Sequence, residues 1–595
     1  MTSSPGQAPT VALASGPGHS RADWEQAAAA VLRKAGRLAE TDPDDLVWAK
    51  LTRKTLDGIA ITPLGTPALV KDLATAGRPD RSGDWDIRGY FGDPDAKASA
   101  ADIALDLNNG VNSVWLKVGV GGVAISELGT ALAGVLLDVA PVILDAGGDA
   151  VTAAEAFAAL AAGTTLAEGT NLAADPLGTL LLDGLTSDLD AVVAAVAARA
   201  TELGCLALVV DASAVHDLGA SDVQELGWSL AVGAAYLRSL VAAGYSVADA
   251  AALIEFRYVA TDEQFPTIAK LRAARRGWAR VLELSGVDAV DCRQRQHVVT
   301  SRPMMSKYDP WVNMLRTCVA AFSAGVGGAD VVTVLPFDFH LGLPDVFSRR
   351  NARNTSALLI HESHLARVTD PAGGAFAIEK LTDDLAVAGW AEFGEIEAAG
   401  GALAALSDGS ISARIAAVVT ERERQIALRK RPLTGLSEFP NLQETLPQRR
   451  PYPDGARTVQ PWGHAFEALR NVPATSPVFL ATMGTVAAHT ARATFASNLF
   501  AAGGIEVVNP GRADDLAAVL AAYKGPDGGQ SVVCLTGNDK AYAAWGAELV
   551  TALREAGAQW VILAGKPPEG VEVDATCAMG LDALDFLNST REKLA

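Results

Sequence analysis

Aromatic residues make up only 6% of the 595 residues, so any core must be filled with small aliphatic side chains. Such side chains suit buried parallel strands and the helices that cover them. Cysteine is scarce as well. Cys205, Cys292, Cys318, Cys534 and Cys577 are odd in number and never fall at CxxC spacing. That excludes a disulfide framework and a cysteine zinc site, and leaves buried free thiols of a reducing cytoplasm. Positive charge is in deficit, 49 Lys and Arg against 69 Asp and Glu, for a net charge of -20. Nucleic-acid backbones and anionic lipid surfaces are poor partners for such a chain. No run of about 18 uncharged apolar residues is present, so no membrane span is expected. The first residues lack the basic and apolar regions of a signal peptide. Their Gly- and Pro-containing polar text up to about His19 reads as a disordered start.

What is present is organised by period. Trp24, Ala28, Val31, Leu32 and Ala35 recur at helical spacing. From Leu56 to about residue 385, short apolar runs alternate with Ala-rich segments of helical length. The runs expected to be strands are Val114–Val118, Val142–Leu144, Leu206–Val210, Leu253–Tyr258, Val298–Thr300 and Val331–Leu335. Among the helical segments, Asp222–Ala243 places Val223, Leu226, Leu230, Leu237 and Leu240 on one face. Strand–helix alternation calls for a parallel sheet, and roughly 300 residues of it fit a TIM-type (β/α)8 barrel. Helices continue through Leu381–Lys430. Residues 432–476 are rich in Pro and polar groups and read as an ordered belt, because Phe439, Leu442, Tyr452, Trp462 and Phe466 favour burial. A last unit alternates strands at Pro477–Ala481, Val507–Val508, Val532–Leu535 and Val561–Ala564 with helices. About 120 residues of this kind fit a flavodoxin-like doubly wound domain. The α/β chain thus divides into an arm (1–50), a barrel (51–385), a helical extension with belt (386–475) and a C-terminal domain (476–595).

Four features carry candidate chemistry. Gly325-Val326-Gly327-Gly328 has the glycine content of a phosphate loop but precedes a strand, the wrong order for one. His361 and His364 have metal-pair spacing without a third ligand, so an exposed helix end is expected. Arg349, Arg350 and Arg353 suit phosphate, but ion pairs with neighbouring elements are the plainer expectation. Glu421 to Arg431 is a charged stretch that reads as a solvated helix face.

Six segments in order resemble the methylmalonyl-CoA mutase family. They are Lys54-Thr55-Leu56-Asp57-Gly58-Ile59, Trp85–Phe91 (W-x-I-R-x-Y), Phe265–Trp278 (FPTIAKLRAARRGW), Asp309–Thr317 (D-P-x-x-N-x-x-R-T), Ala352-Arg353-Asn354-Thr355, and Asp370-Pro371-Ala372-Gly373-Gly374. The resemblance implies an arm, a (β/α)8 barrel enclosing acyl-CoA, a belt and a C-terminal cobalamin-binding domain. It also implies radical isomerisation of methylmalonyl-CoA and succinyl-CoA, with the hard chemistry carried by adenosylcobalamin.

The chain departs from that pattern where the cofactor is held. The family's M-G-x-D-x-H-x-x-G reads here as Met483-Gly484-Thr485-Val486-Ala487-Ala488-His489-Thr490-Ala491. Val486 takes the Asp position, Ala488 the His position and Ala491 the Gly position. His489 falls one residue late, about 100° round a helix, and is expected to be an exposed or capping residue. A later glycine pair reads Ala564-Gly565. In the barrel, the family's T-M-Y-x-x-R-P is replaced by Gly77–Asp84, without Tyr or Thr. Its active-site His has only His216, in a shortened segment, as a counterpart, and a structural hydrogen bond is the plainer expectation there. The resemblance therefore implies the non-catalytic small subunit of the family's heterodimeric bacterial members. No catalytic, cofactor-binding or metal-ligating residue is assigned; adenosylcobalamin is expected on a large partner subunit, in the cytoplasm. The alternatives are a stand-alone isomerase binding cobalamin without a protein His ligand, and a non-enzymatic acyl-CoA-binding scaffold.

Overall fold

A computed structural model describes residues 18–73, 78–288 and 292–595. Most of the polar start and Gly77 lie outside them. Eight parallel strands close into a barrel: β1 (Asp86–Phe91), β2 (Ser113–Lys117), β3 (Val142–Asp145), β4 (Asn171–Ala174), β5 (Leu206–Asp211), β6 (Ile254–Ala260), β7 (Arg295–Thr300) and β8 (Val331–Thr333), each beside the next and β8 beside β1. Two of these, β1 and β4, are not among the strands expected from apolar runs. The reason is chemical: β1 carries Asp86 and Arg88, and β4 reads Asn-Leu-Ala-Ala with no β-branched residue.

Helices cover the barrel. The helix α1 (Asp222–Ala242) begins at a capping box in which Ser221 and Gln224 satisfy each other's backbone N–H groups. It packs along α2 (Phe376–Ala398), and both also contact α3 (Gln264–Leu284). The arm helix Arg21–Lys34 packs on Leu46–Leu51 through Ala29, Leu32, Leu38 and Val47; Val31, expected on its apolar face, is exposed. No helix among the described residues is long and apolar enough to cross a membrane.

The belt joins barrel to C-terminal unit. The Trp462 N–H donates to the Pro303 carbonyl at 2.8 Å. Leu436 and Phe466, both fully buried, enter the C-terminal core. Phe439 does not follow the expectation of burial: it has a left-handed φ of 54° and is 73% exposed. Its neighbour Leu436 takes the core position, and the turn that follows points Phe439 outward.

The C-terminal unit is a five-stranded parallel sheet of β9 (Val478–Thr482), β10 (Val507–Val508), β11 (Val532–Thr536), β12 (Trp560–Ala564) and β13 (Ala575–Cys577), in the order β10-β9-β11-β12-β13. Alternate residues feed two cores. Val478, Leu480, Val532, Cys534 and Ile562 face one layer; Phe479, Ala481, Val533, Leu535 and Val561 face the other. Burial on both faces explains why these strands read as unbroken apolar runs.

Candidate functional site: the barrel mouth and the cleft of the C-terminal sheet

The barrel interior is charged and closed. Arg88 on β1 reaches across to Glu255 on β6, with Nη1 2.8 Å from Oε1, and Arg295 on β7 holds Oε2 of the same carboxylate at 3.1 Å. Burial raises the Glu255 carboxyl, but the two guanidinium groups outweigh it, so it titrates below its ordinary value. One layer up, the Arg257 Nε–H donates to His297 Nδ1 at 3.1 Å, and Arg257 Nη1 contacts Asp211 at 2.9 Å. An accepting Nδ1 puts the imidazole proton on Nε2, which is 2.8 Å from the Thr333 hydroxyl. Burial and the surrounding arginines hold His297 well below its usual pKa, hence neutral. The Trp115 ring lies 4.0 Å from the Arg257 guanidinium and 4.7 Å from Tyr90. Arg88, Trp115, Glu255 and His297 are each no more than 1% exposed. A channel along the axis would leave such side chains wetted, so nothing threads this barrel.

At the strands' C-terminal ends, where barrel sites form, a cavity of about 700 Å³ remains. Several of its charges are paired: Lys117 with Asp145 at 3.1 Å, and both Arg302 and Arg457 with one oxygen of Asp217 at 3.0 Å. Asp149 and Asp183 also line it without an ion pair among the described residues, and so does Asp175. It has the Tyr236 hydroxyl and the Gly178 N–H as donors but no cation, and burial with repulsion from Asp211 pushes it up to about 7. The belt residues Tyr452, Gly455 and Arg457 roof the cavity.

The C-terminal cleft is formed after β9, between the loops where strand order reverses. Here α4 (Val486–Ala502) begins directly after Met483-Gly484-Thr485. Val486 is 58% exposed in its first turn. His489, expected exposed or capping, is buried on the face it shares with Ala493, Ala496 and Phe500, and its Nδ1 lies 3.2 Å from the Gly484 carbonyl. The one-residue delay has rotated it onto the core side. The cleft above Gly565 is filled by Arg492. A Cβ on Gly565 would meet its guanidinium at 3.0 Å. Arg492 also donates to the Gly537 carbonyl at 2.6 Å, pairs with Asp539, and lies over the Tyr542 ring at 4.8 Å. The residues present thus put no imidazole at the family's His position, and Arg492 lies against Gly565 where a corrin floor would be.

The family described as Methylmalonyl-CoA mutase matches residues 99–470. The chain is 44% identical over 606 residues to the Methylmalonyl-CoA mutase small subunit of Streptomyces virginiae, covering 96% of each. It is 40% identical over 591 residues to the Probable methylmalonyl-CoA mutase small subunit of Mycobacterium tuberculosis (strain ATCC 25618 / H37Rv), covering 93% of each. It is 36% identical over 608 residues to the Methylmalonyl-CoA mutase small subunit of Propionibacterium freudenreichii subsp. shermanii, covering 96% of the chain and 94% of the relative. The chain belongs to the methylmalonyl-CoA mutase family.

The segments that carry the mutase resemblance act here as scaffold. From Phe265–Trp278, Lys270 bonds Glu225 and Asp222, and Arg272 bonds Asp370 and Glu379. Arg316 and Asn313 bond each other and reach the Thr434 and Phe337 carbonyls. Arg349 and Arg353 pair with Asp102 and Asp106, as expected of them. Gly325 packs against Trp85, and the Gly327 and Gly328 carbonyls accept from Arg275, so this glycine run is a close-packed helix end. Arg350 sits mid-helix beside Arg349. His361 and His364 are both exposed at a helix end. Among the described residues no group of three or more His, Cys, Asp and Glu is placed to hold a metal.

His216 makes the hydrogen bond expected of it. Its Nε2 lies 2.8 Å from Ser301 Oγ and its Nδ1 3.6 Å from Glu225 Oε2. The order Ser–His–Glu has the form of a nucleophile triad. Ser301 is 0% exposed, and its hydroxyl also accepts from the Met304 N–H, so no substrate reaches it. Arg492, Trp115 and Glu255 were not singled out by sequence. The partners named for them lie 25 to 167 residues away, and no local pattern marks them.

Proposed function

We propose that this chain is the small subunit of a heterodimeric, adenosylcobalamin-dependent methylmalonyl-CoA mutase, and that it supports a large catalytic subunit without itself holding cobalamin or turning over substrate. The observation that carries the reading is the C-terminal cleft: Val486 and Ala488 stand where the family keeps its Asp and His, and Arg492 lies over Gly565. The filled barrel axis supports it independently, because an acyl-CoA has no path through the strands. The strand order of the C-terminal sheet supports a flavodoxin-like unit that keeps the cobalamin-binding shape without its ligand groups. The relatives' shared name, small subunit, supports a large partner. Adenosylcobalamin then belongs to that partner and supplies the radical chemistry there.

The test uses this chain purified alone and co-expressed with a large subunit. Each is mixed with adenosylcobalamin, desalted, scanned for corrin absorbance and assayed for methylmalonyl-CoA isomerisation. A colourless, inactive lone chain with a coloured, active pair is the expected result. Corrin or turnover on the lone chain overturns it.

A further inference from the structure

We infer that a second pocket, on the flank of the barrel mouth, binds a phosphate-bearing anion. It encloses about 350 Å³, and five segments meet there, two of them the barrel loops around 216–222 and 261–266. The hairpin of Arg53–Lys54 and Ala60–Ile61 forms one wall. The end of the helix Ser410–Ala427 and the turn after it form another, with Arg422, Lys430 and Arg431. The belt contributes Trp462.

The local charge is reversed relative to the chain. Five cationic residues, Arg53, Lys54, Arg422, Lys430 and Arg431, line the pocket with three carboxylates, Asp57, Asp222 and Glu263, in a protein of net charge -20. Those carboxylates do not balance them. Asp222 is taken by Lys270 at 2.8 Å. Glu263 stands 3.7 Å from Arg53 and 4.0 Å from Arg431, at the outer edge of ion-pair distance for both. Asp57, whose carboxyl is raised to about 6 by burial with repulsion from Asp222, keeps its charge at pH 7 but forms no ion pair among the described residues. Among the described residues neither Lys54 nor Lys430 forms an ion pair.

The deepest cation is Arg422, 4% exposed. It donates to the Gly219 and Ala220 carbonyls at 2.7 and 3.2 Å, while its Nε is buried without a partner. Arg422 and Arg431 both lie over Trp462, at 5.2 and 4.9 Å from the ring centre, and the indole N–H is likewise buried without a partner. Two guanidinium groups beside one ring, with donors left over and no carboxylate between them, is an arrangement lacking its anion. A phosphate suits it better than a carboxylate, because its several oxygens and double charge answer donors from three directions. A phosphate group could come from a free nucleotide or phosphate, or from the nucleotide end of a coenzyme thioester.

Titration calorimetry on the full chain, with inorganic pyrophosphate, ADP, coenzyme A and succinate as probes, tests the site. Pyrophosphate and ADP are expected to bind once per chain, and Lys430→Gln with Arg431→Gln to weaken both by about tenfold or more. Lys54→Gln, on the opposite wall, is expected to weaken them as well, and Arg431→Lys to restore part of the loss. Melting curves of Lys54→Gln and Lys430→Gln, at exposed side chains, should superimpose on that of the parent, and Arg431→Lys keeps a cation beside Trp462. Coenzyme A binding much tighter than ADP identifies the thioester as source; equal affinities identify a free nucleotide. Absence of pyrophosphate, ADP and coenzyme A binding below about 1 mM, equal binding of succinate, or binding untouched by both substitutions overturns the inference. The outcome does not depend on the subunit role, since no partner is present.

Discussion

Glu255 illustrates what single residues decide. Its buried carboxylate is shared by Arg88, itself buried, and the partly exposed Arg295. Removing one member of such a group strands buried charge, so Glu255→Gln is expected to cost about 3–5 kcal/mol. Arg88→Met combined with Glu255→Met is expected to recover much of that; urea denaturation of both reads the difference. Asp175 makes the opposite case. Folding raises its pKa from 3.8 to about 7, so the folded state binds the proton more tightly. Its favourable contribution is complete below pH 4 and lost as pH rises through 7. Asp175→Asn is therefore expected to flatten the fall in stability between pH 4 and 8. At pH 8 it should raise stability by about 1–2 kcal/mol, less than the full shift because the cavity admits water. Neither residue was legible as special in the sequence, where Glu255 and Asp175 look like ordinary carboxylates beside apolar runs.

At the scale of elements, legibility followed chemistry. Strands β5 and β8 stood out because buried parallel strands are largely apolar, and β6 stood out through Ile254, Phe256, Tyr258 and Val259 despite Glu255 and Arg257 between them. Strands β1 and β4 did not, because a barrel filled with charge and amide places Arg88 and Asn171 where aliphatics usually pack. The short β13 was missed because Ala-Thr-Cys has no apolar β-branched pair, whereas the still shorter β10 reads Val-Val. The loss of the Asp and His positions could be read by counting from Met483-Gly484. The role of Arg492 could not, since it depends on Gly537, Asp539 and Gly565 arriving beside it. This yields a test: Val486→Asp with Ala488→His restores the motif but leaves Arg492 in the cleft. That variant is expected to emerge colourless after adenosylcobalamin and desalting. A coloured protein would show that Arg492 is no obstacle.

For the whole molecule, the belt decides whether barrel and C-terminal unit unfold together. Phe466, fully buried, shares one core with Ile426, Leu436 and the C-terminal strands, while Lys307 N–H donates to Glu467 at 2.7 Å from the barrel side. Calorimetric unfolding is expected as one transition. Phe466→Ala should destabilise by about 3–5 kcal/mol and separate the C-terminal melt from that of the barrel.

The parallel α/β plan, the family and the replacement of the motif's Asp and His by Val486 and Ala488 are legible in the string, because period, motif order and residue identity belong to it. Only tertiary structure decided that the barrel axis is plugged, that the cleft is filled by Arg492, and that His489 faces inward. It alone also gathered five cations along one pocket, two of them over Trp462. Each of these depends on side chains far apart in the chain competing for the same small space, and on the burial that turns an ordinary charge into a costly one.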